Sequence, residues 1–225
     1  MKERPILMTP ENAQKVFDGT KTQTRRILKI QPWEGLGRID GPAFYAPTKV
    51  NKRTGEEYPG DDVFGVYDHT GEWGCVCPFG RPGTRLWIRE AWSPCDECSM
   101  EMYKGQGVMN CPCCDASTAG LKFTPSIHMH RWACRTVLEL TDVRVERLQE
   151  ISEDDAISEG VALLEGSYNP DDYTGIWKNY SLHETAEYWN SPRDSYHSLW
   201  DSINGHGSWE RNDWVWVLTM RRVTP

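Results

Sequence analysis

The chain has 225 residues and a net charge of −8 at neutral pH, which predicts one large domain or one domain with insertions. The acidic balance excludes a protein that coats nucleic acid nonspecifically, because such binding needs a wide basic surface. Only 38% of the residues are hydrophobic, and neither an apolar run of membrane-spanning length nor a signal-peptide core is found, so we expect a cytoplasmic protein without a membrane partner.

The first predicted elements are a strand, a helix and a polar strand within residues 1–31. Thr9 is a typical N-cap, Pro10 suits the first helical position, and Gly19 fits the left-handed residue that ends many helices. The apolar residues between them recur at helical spacing. A short helix therefore leads directly into the polar strand.

The polar strand is the most unusual segment of this acidic chain. Residues 19–26 contain one Lys, two Arg and three Thr, and no acid. Fixed cations beside hydroxyl groups suit a phosphate, a polarised carbonyl or the edge of a nucleobase. A solvated surface strand is the plainer alternative. The candidate site residues here are Lys21, Thr22, Thr24, Arg25 and Arg26.

Two long segments lack the periodicity of a packed core. Residues 32–72 are rich in Gly, Pro and charge, and we expect a long loop or mobile insertion. A turn at Pro82-Gly83 and a strand over 86–92 follow. Residues 94–124 are rich in Cys and Gly, and this second insertion needs something other than a hydrophobic core to hold it.

The remaining chain predicts alternating strands and helices. Residues 131–148 indicate a strand pair or one long bent strand, and Ser152 caps a helix that Gly160 closes. Residues 163–180 are loop-like. Ser191 starts another helix, and the β-branched and aromatic residues at 214–220 indicate a final strand.

The cysteines at 95, 98, 111 and 114 have the spacing C-x2-C-x12-C-x2-C. Two such pairs each supply two corners of a tetrahedron, so Cys95, Cys98, Cys111 and Cys114 predict a structural zinc site. Cys113 is an alternative to Cys114, and free thiols or an occasional disulfide are the alternative to metal. A shell closed by four Cys leaves no position for a catalytic water. The other cysteines are expected in the core: Cys75, Cys77 and Cys134.

Several segments resemble a known family. Residues 18–25, Asp-Gly-Thr-Lys-Thr-Gln-Thr-Arg, resemble the signature of ASCH domains, and segment 77–90 resembles the turn and strand of that family. Segments 128–135 and 199–217 resemble its phage and prophage members. The resemblance implies an α+β fold. It would be a single PUA-like (ASCH) β-barrel domain over 1–225, with flanking helices, a loop insertion at 32–72 and a zinc-knuckle insertion at 94–124.

The resemblance also implies a chemistry, because some small ASCH proteins hydrolyse the amide of N4-acetylcytidine. Lys21 and Thr24 match two positions of their catalytic pattern, and Glu159 is the best match to the third. Thr24 would act as nucleophile or hold water, Lys21 would act as base or oxyanion stabiliser, and Glu159 would protonate the leaving amine. Lys21 and Thr24 converge only across a bend, since residues three apart on a strand point to opposite faces. Other acids remain open for the third role: Glu153, Asp154 and Asp155.

Further residues are candidates for substrate contacts around that centre. Glu90 ends a predicted strand, and pairing with an Arg is its alternative role. His128 and Arg131 suit acid–base work or phosphate contact, or else a plain surface position. The predicted partner is a modified nucleoside or single-stranded RNA or DNA. The alternatives are a non-catalytic RNA- or DNA-binding module, a ribonuclease, and a phage accessory protein that acts through protein contacts.

Overall fold

A computed structural model describes residues 3–36, 38–107, 109–165, 175–181 and 187–223. The α-helices in this part of the chain are α1 (Pro10–Asp18), α2 (Glu153–Ser158) and α3 (Pro192–Asn204). The strands are β1 (Arg4–Leu7), β2 (Gln23–Ile27), β3 (Ile39–Tyr45), β4 (Thr48–Val50), β5 (Glu57–Pro59), β6 (Val63–Asp68), β7 (Gly74–Val76), β8 (Arg85–Arg89), β9 (Trp92–Pro94), β10 (Glu101–Tyr103), β11 (Val137–Arg147), β12 (Leu163–Glu165), β13 (Ile176–Lys178), β14 (Tyr188–Trp189) and β15 (Trp214–Val223).

The chain divides into two compact units, and the first contains Met1–Thr22, Pro82–Thr141 and Met220–Pro225. Its main sheet pairs β1 with β8 in parallel and β8 with the start of β11 in antiparallel orientation. The side chains of Ile6, Ile88 and Leu138 are buried there. A short hairpin of β9 and β10 follows in the cysteine-rich segment.

Helix α1 in the first unit begins and ends as the sequence predicts. The Thr9 hydroxyl accepts a hydrogen bond from the backbone N–H of Asn12, and Pro10 occupies the first turn. Gly19 has φ of 82° and donates to the carbonyls of the last turn. A residue with a side chain would be strained in that left-handed conformation, so Gly19 fixes where the helix stops.

The second unit contains Gln23–Arg81 and Asp142–Thr219. Strand β2 pairs antiparallel with β15, with Thr24 opposite Leu218. An aromatic core packs α2, α3 and the start of β15 together, because each element presents one apolar face. Its largest members are Trp177, Tyr196, Trp200 and Trp209.

Residues 32–72 of the second unit differ from the loop that the sequence predicts. Strands β3, β6 and β7 form an antiparallel sheet, and β4 pairs with β5 in a separate hairpin. Glycines within these strands weaken the sequence signal, but one of them is required by the packing. A Cβ at Gly65 would lie 2.3 Å from the carbonyl oxygen of Cys75 on β7.

Other segments refine the sequence-based expectations. The stretch 131–148 contains a 3-10 turn, Arg131–Ala133, and then the single strand β11 instead of a strand pair. Part of the predicted loop over 163–180 is extended, because β12 and β13 pair with each other there; residues 166–174 lie outside the described part. Helices α2 and α3 carry the predicted N-caps, Ser152 and Ser191.

The architecture is mixed α+β and mostly sheet, as predicted, with few helices. Within the described residues no sheet closes into a barrel, which differs from the closed β-barrel that the family resemblance implies. The PUA-like fold therefore stays a prediction. In the same residues, no helix has the length and apolar character needed to cross a membrane.

We predict that Gly65→Ala destabilises the protein by about 1–3 kcal/mol, since the added methyl group meets backbone atoms of the neighbouring strand. Thermal and denaturant unfolding measure the change, with Val76→Ala, at an exposed position on β7, as the control. Equal stability of Gly65→Ala and the wild type would contradict the packing of β6 on β7.

Candidate functional site

A buried arginine is the centre of a polar network in the second unit. Gln23 and Arg25 point to the same face of β2, since side chains alternate along a strand. The Arg25 side chain is fully buried. Its Nε and Nη2 donate to Glu146 Oε1 at 3.0 and 2.6 Å, and Nη2 also donates to Asp155 at 2.8 Å. Its Nη1 donates to Gln23 at 2.7 Å and to Glu159 at 3.2 Å.

The network contains more acids than bases. Arg144 is the second cation and contacts both Asp155 and Glu146, the latter at 3.2 Å. Burial disfavours the charge on Arg25, but the carboxylates of Glu159 and Glu146 outweigh it and raise the pKa of Arg25. The guanidinium therefore stays charged and holds the carboxylates of three acids at fixed positions.

Tyr196 on α3 closes the network on one side. Its hydroxyl donates to Glu159 Oε1 at 3.5 Å, and its ring lies 5.8 Å from the Arg25 guanidinium. Burial, followed by the negative charge of Glu159, raises the pKa of Tyr196 well above its usual value. Tyr196 is thus a neutral donor, and Glu159, itself 3% exposed, is fixed by two groups.

Lys21 and Thr24, the first two predicted catalytic residues, are each 4% exposed. Lys21 precedes β2 in the turn after Gly19, where its backbone N–H donates to the carbonyl of Lys15 at 3.1 Å. Strand alternation therefore does not fix the direction of Lys21 relative to Thr24. Thr24 itself points to the face of β2 opposite to Arg25.

The predicted substrate contacts on β2 have different surroundings. Each of the three guanidinium nitrogens of Arg25 already donates to protein acceptors, so its position favours a role in holding Glu159 over a direct substrate contact. Arg26 is half-buried on the face of β2 opposite to Arg25. Burial lowers the pKa of Arg26, although the negative charge of Glu159 acts in the opposite direction. Thr22 is exposed.

The other acids of α2 have separate tasks. Glu153 accepts hydrogen bonds from the Ser191 hydroxyl at 3.0 Å and from the backbone N–H of Arg193 at 2.8 Å, and thereby joins α2 to the start of α3. Asp154 is exposed. Of the acids that are alternatives to Glu159, only Asp155 also accepts a hydrogen bond from Arg25 in the described part of the chain.

Glu90, a predicted substrate contact, lies in the first unit and pairs with Arg135. Arg135 donates to its two carboxylate oxygens at 2.9 and 2.8 Å, and the Glu90 residue is 1% exposed. The Arg135 guanidinium lies between the rings of Phe17 and Tyr103, 4.5 and 4.3 Å from their centres. Glu90 thus forms the ion pair with an Arg that the sequence analysis gave as its alternative role, and the two aromatic rings lie against the guanidinium.

His128 and Arg131 lie on the surface of the first unit. His128 is exposed at the end of a 3-10 turn, and Arg131 donates to both carboxylate oxygens of Glu3, at 2.6 and 3.3 Å. Their neighbour Trp132 is 66% exposed, and its ring stacks on that of His130 with centres 6.1 Å apart. An exposed Trp of this kind is a surface feature that the sequence alone did not single out.

The four predicted metal ligands come together in the first unit. The sulfurs of Cys95, Cys98, Cys111 and Cys114 all lie within 4.8 Å of one another. The Cys95–Cys114 and Cys98–Cys111 sulfur distances are 3.6 and 3.5 Å. A tetrahedral metal with bonds of about 2.3 Å places its ligand sulfurs ~3.8 Å apart, so the arrangement fits a bound ion closely.

Two equivalent turns build this cysteine cluster. The carbonyl of Cys95 accepts from the N–H of Ser99 at 2.9 Å, and that of Cys111 accepts from Asp115 at the same distance. Ser99 and Asp115 both have positive φ, 62° and 59°. The repeated turn directs both cysteines of each pair to one point, and Cys114, not Cys113, is the fourth member.

The pKa values of the clustered cysteines differ. The N–H of Cys113, followed by that of Cys114, lowers the pKa of Cys111 to about 7 against the effect of burial, so the metal-binding thiolate of Cys111 is accessible near neutral pH. Against the backbone N–H groups of Met100 and Ala116, burial and neighbouring thiols raise the pKa values of Cys98 and Cys114. Cys75, Cys77 and Cys134 lie outside this cluster and are buried, as the sequence predicts.

Sequence reasoning named Glu159 and Asp155 as candidates near Arg25 but missed the rest of this network. Glu146, Arg144 and Tyr196 lie on β11 and α3, far from β2 in the chain, and no local spacing connects them. The one signal available in the sequence was that Gln23 and Arg25, two residues apart on a strand, point to the same face. No family model, curated protein or solved structure matches this chain.

We predict that Arg25→Met destabilises the protein by about 3–5 kcal/mol, because it leaves buried carboxylates without their cation. Arg144→Met is the matched control, since it also contacts Asp155 but is 36% exposed, and it should cost about 1 kcal/mol or less. Denaturant titration measures both. Equal losses would contradict the central position of Arg25.

We predict that Cys114→Ser abolishes metal binding, whereas Cys113→Ser retains about one ion per chain, since only the first removes a sulfur from the cluster. Elemental analysis of protein purified without added metal measures this and identifies the ion. Metal retained by Cys114→Ser, or a wild type without metal, would contradict the assignment of this cluster as a metal site.

Proposed function

We propose that this protein recognises a modified nucleoside, or one within single-stranded nucleic acid, and hydrolyses the amide of N4-acetylcytidine-like substrates. The observation that carries the proposal is the burial of polar groups at the start of β2. Lys21, Gln23, Thr24 and Arg25 are each only 4–5% exposed, as is Glu159 at 3%. Charged residues are rarely buried so completely. Functional sites that need charges in fixed positions are one place where such residues are found.

In this proposal the reaction is the addition of water across the N4–acyl bond, giving cytidine and acetate. Thr24 either positions the attacking water or attacks the carbonyl itself, and in the second case water then hydrolyses the acetyl ester formed on Thr24. Lys21 accepts the proton of the nucleophile and stabilises the oxyanion. Glu159 passes to the leaving amine the proton that Lys21 accepts. Because Thr24 points to the face of β2 opposite to Arg25 and its partner Glu159, the substrate would have to contact both faces around β2, which is the edge strand of its sheet among the described residues. Arg25 and Tyr196 act on Glu159, since they hold its carboxylate in place. Thr22 and Arg26 remain proposed substrate contacts, whereas Glu90, His128 and Arg131 stay predictions of the sequence alone.

We also propose that the ion in the cysteine cluster is a structural Zn²⁺, for which Cys95, Cys98, Cys111 and Cys114 would supply the ligands. Four thiolates suit this soft cation and close its coordination shell, so it would stabilise the fold and leave the chemistry to other residues. The segment has a small apolar cluster around Met102, and metal binding would add the folding energy that this cluster lacks.

The family resemblance supports the same reading. The ASCH assignment, with its PUA-like fold and phage origin, is a proposal that rests on the segment 18–25 and the other matching segments. The burial of Lys21 and Thr24 is consistent with the catalytic roles that this resemblance implies.

A non-catalytic nucleic-acid-binding module is the second candidate, and one observation favours it. Trp132 is 66% exposed and stacks on His130 beside Arg131. Exposed aromatic rings near cations are typical of surfaces on which unpaired bases stack. Under this alternative, affinity falls with salt by a slope of about 0.7 per phosphate contacted.

We predict that the wild type releases cytidine from N4-acetylcytidine and that Lys21→Ala loses at least about 100-fold of this activity, because its base and oxyanion contact are removed. Chromatography of the nucleoside products measures turnover, with the deoxynucleoside assayed in parallel. Lys15→Ala, at a nearby position in α1, is the matched control and should retain activity.

Two outcomes would contradict the hydrolase proposal: no release by the wild type at high enzyme concentration, or full activity of Lys21→Ala. Salt-sensitive binding of single-stranded RNA or DNA without turnover would then favour the binding module.

A further inference from the structure

A cavity of about 450 Å³ lies in the second unit, beside the sheet of β3, β6 and β7. Its wall comes from the end of β3, from residues 46–48, and from the hairpin 67–74 that joins β6 to β7. It shares no residue with the Arg25 network. The volume is large enough for a small organic molecule.

Two tyrosines, together with Trp73, supply aromatic surface to the wall. The rings of Tyr45 and Tyr67 lie 4.8 Å apart with a tilt of 36°. A Cβ at position 74 would lie 2.6 Å from the Tyr45 hydroxyl oxygen, so Gly74 is what leaves room for this ring. Both tyrosines are half-buried and keep part of their surface accessible.

A buried carboxylate lies in the same wall. Asp68 is 2% exposed and accepts hydrogen bonds from the backbone N–H of Trp73 at 2.7 Å and of Thr70 at 3.0 Å, and from the Thr70 hydroxyl. The Thr70 hydroxyl is the main reason that the pKa of Asp68 falls to about 2. In the described part of the chain, neither Lys nor Arg forms an ion pair with it.

The charges that face the cavity are of one sign. Asp68 and Glu72 are acids, His69 is the single histidine of the wall, and the lining contains no Lys or Arg. Burial raises the pKa of Tyr45, so its hydroxyl stays neutral. The cavity therefore repels phosphates and carboxylates and attracts a positive charge.

We propose that this cavity binds a small organic cation, a quaternary or N-methylated nitrogen that lies against Tyr45 and Tyr67 with Asp68 and Glu72 as its counter-charges. Aromatic faces attract cations through their negative π-surface, and they suit methylated nitrogens, which give up little hydration on burial. The carboxylates add long-range attraction without needing direct contact. The positive nitrogen has two sources, an alkylammonium group or a cationic methylated base.

Matched ligand pairs test the charge requirement. Choline and its neutral isostere 3,3-dimethylbutan-1-ol represent the alkylammonium source, and 7-methylguanosine and guanosine represent the cationic base. Isothermal titration calorimetry with the full chain should show at least about tenfold tighter binding of the charged member in one pair. The pair in which the charged member binds more tightly shows whether the cavity takes an alkylammonium group or a cationic methylated base.

Variants then place the binding in this cavity. Tyr67→Leu should weaken the cation about fivefold or more, and Glu72→Gln, at an exposed position, about twofold to threefold. Phe44→Leu on β3 and Glu57→Gln on β5 are the matched controls, since neither residue lines the cavity. Thermal unfolding of each variant checks that it folds.

The proposal is overturned if neither pair shows saturable binding, or if the neutral and charged members bind equally. Binding that Glu72→Gln and Tyr67→Leu leave unchanged would also overturn it, because the cation would then lie elsewhere. Retained folding of Glu72→Gln keeps the test decisive even if Tyr67→Leu fails to fold.

Discussion

The structure of the second unit depends on one buried guanidinium. Arg25 joins strand β2 to Glu146 on β11 and to Asp155 and Glu159 on α2, and Tyr196 of α3 lies against it. Hydrogen bonds of this kind are directional, so they fix the relative positions of these elements more narrowly than apolar packing does. A buried ion pair is weak evidence for stability, because the cost of desolvation offsets the attraction between its charges. The ion pairs of Arg25 therefore suit a role in positioning Glu159.

The two units use different means to hold polar chain segments. The second unit has an aromatic core that includes Trp177, Trp200 and Trp209, and Tyr196 of this core also contacts the charged network. In the first unit, the cysteine-rich segment packs only a small apolar cluster around Met102, and its four thiols converge instead. A bound ion would stabilise the cysteine-rich segment, as the aromatic core stabilises the second unit.

Local signals in the sequence predicted the parts of the fold that local physics determines. The caps of α1 at Thr9 and Gly19, and the convergence of the paired cysteines, follow from residue type and spacing over a few positions. The strands within 32–72 were missed because Gly65 looks like a loop residue, although it is required by the close approach of β7. The acid partners of Arg25 follow 121–134 residues later, and nothing local identifies them.

The central claim is that the buried polar residues at the start of β2 form a nucleoside site. A crystal structure of Lys21→Ala with N4-acetylcytidine tests it most directly. We expect the acetyl carbonyl within about 3.5 Å of the Thr24 hydroxyl, with the base held beside Glu159. A nucleoside bound away from Thr24, or a well-ordered crystal without nucleoside at saturating concentration, would contradict it.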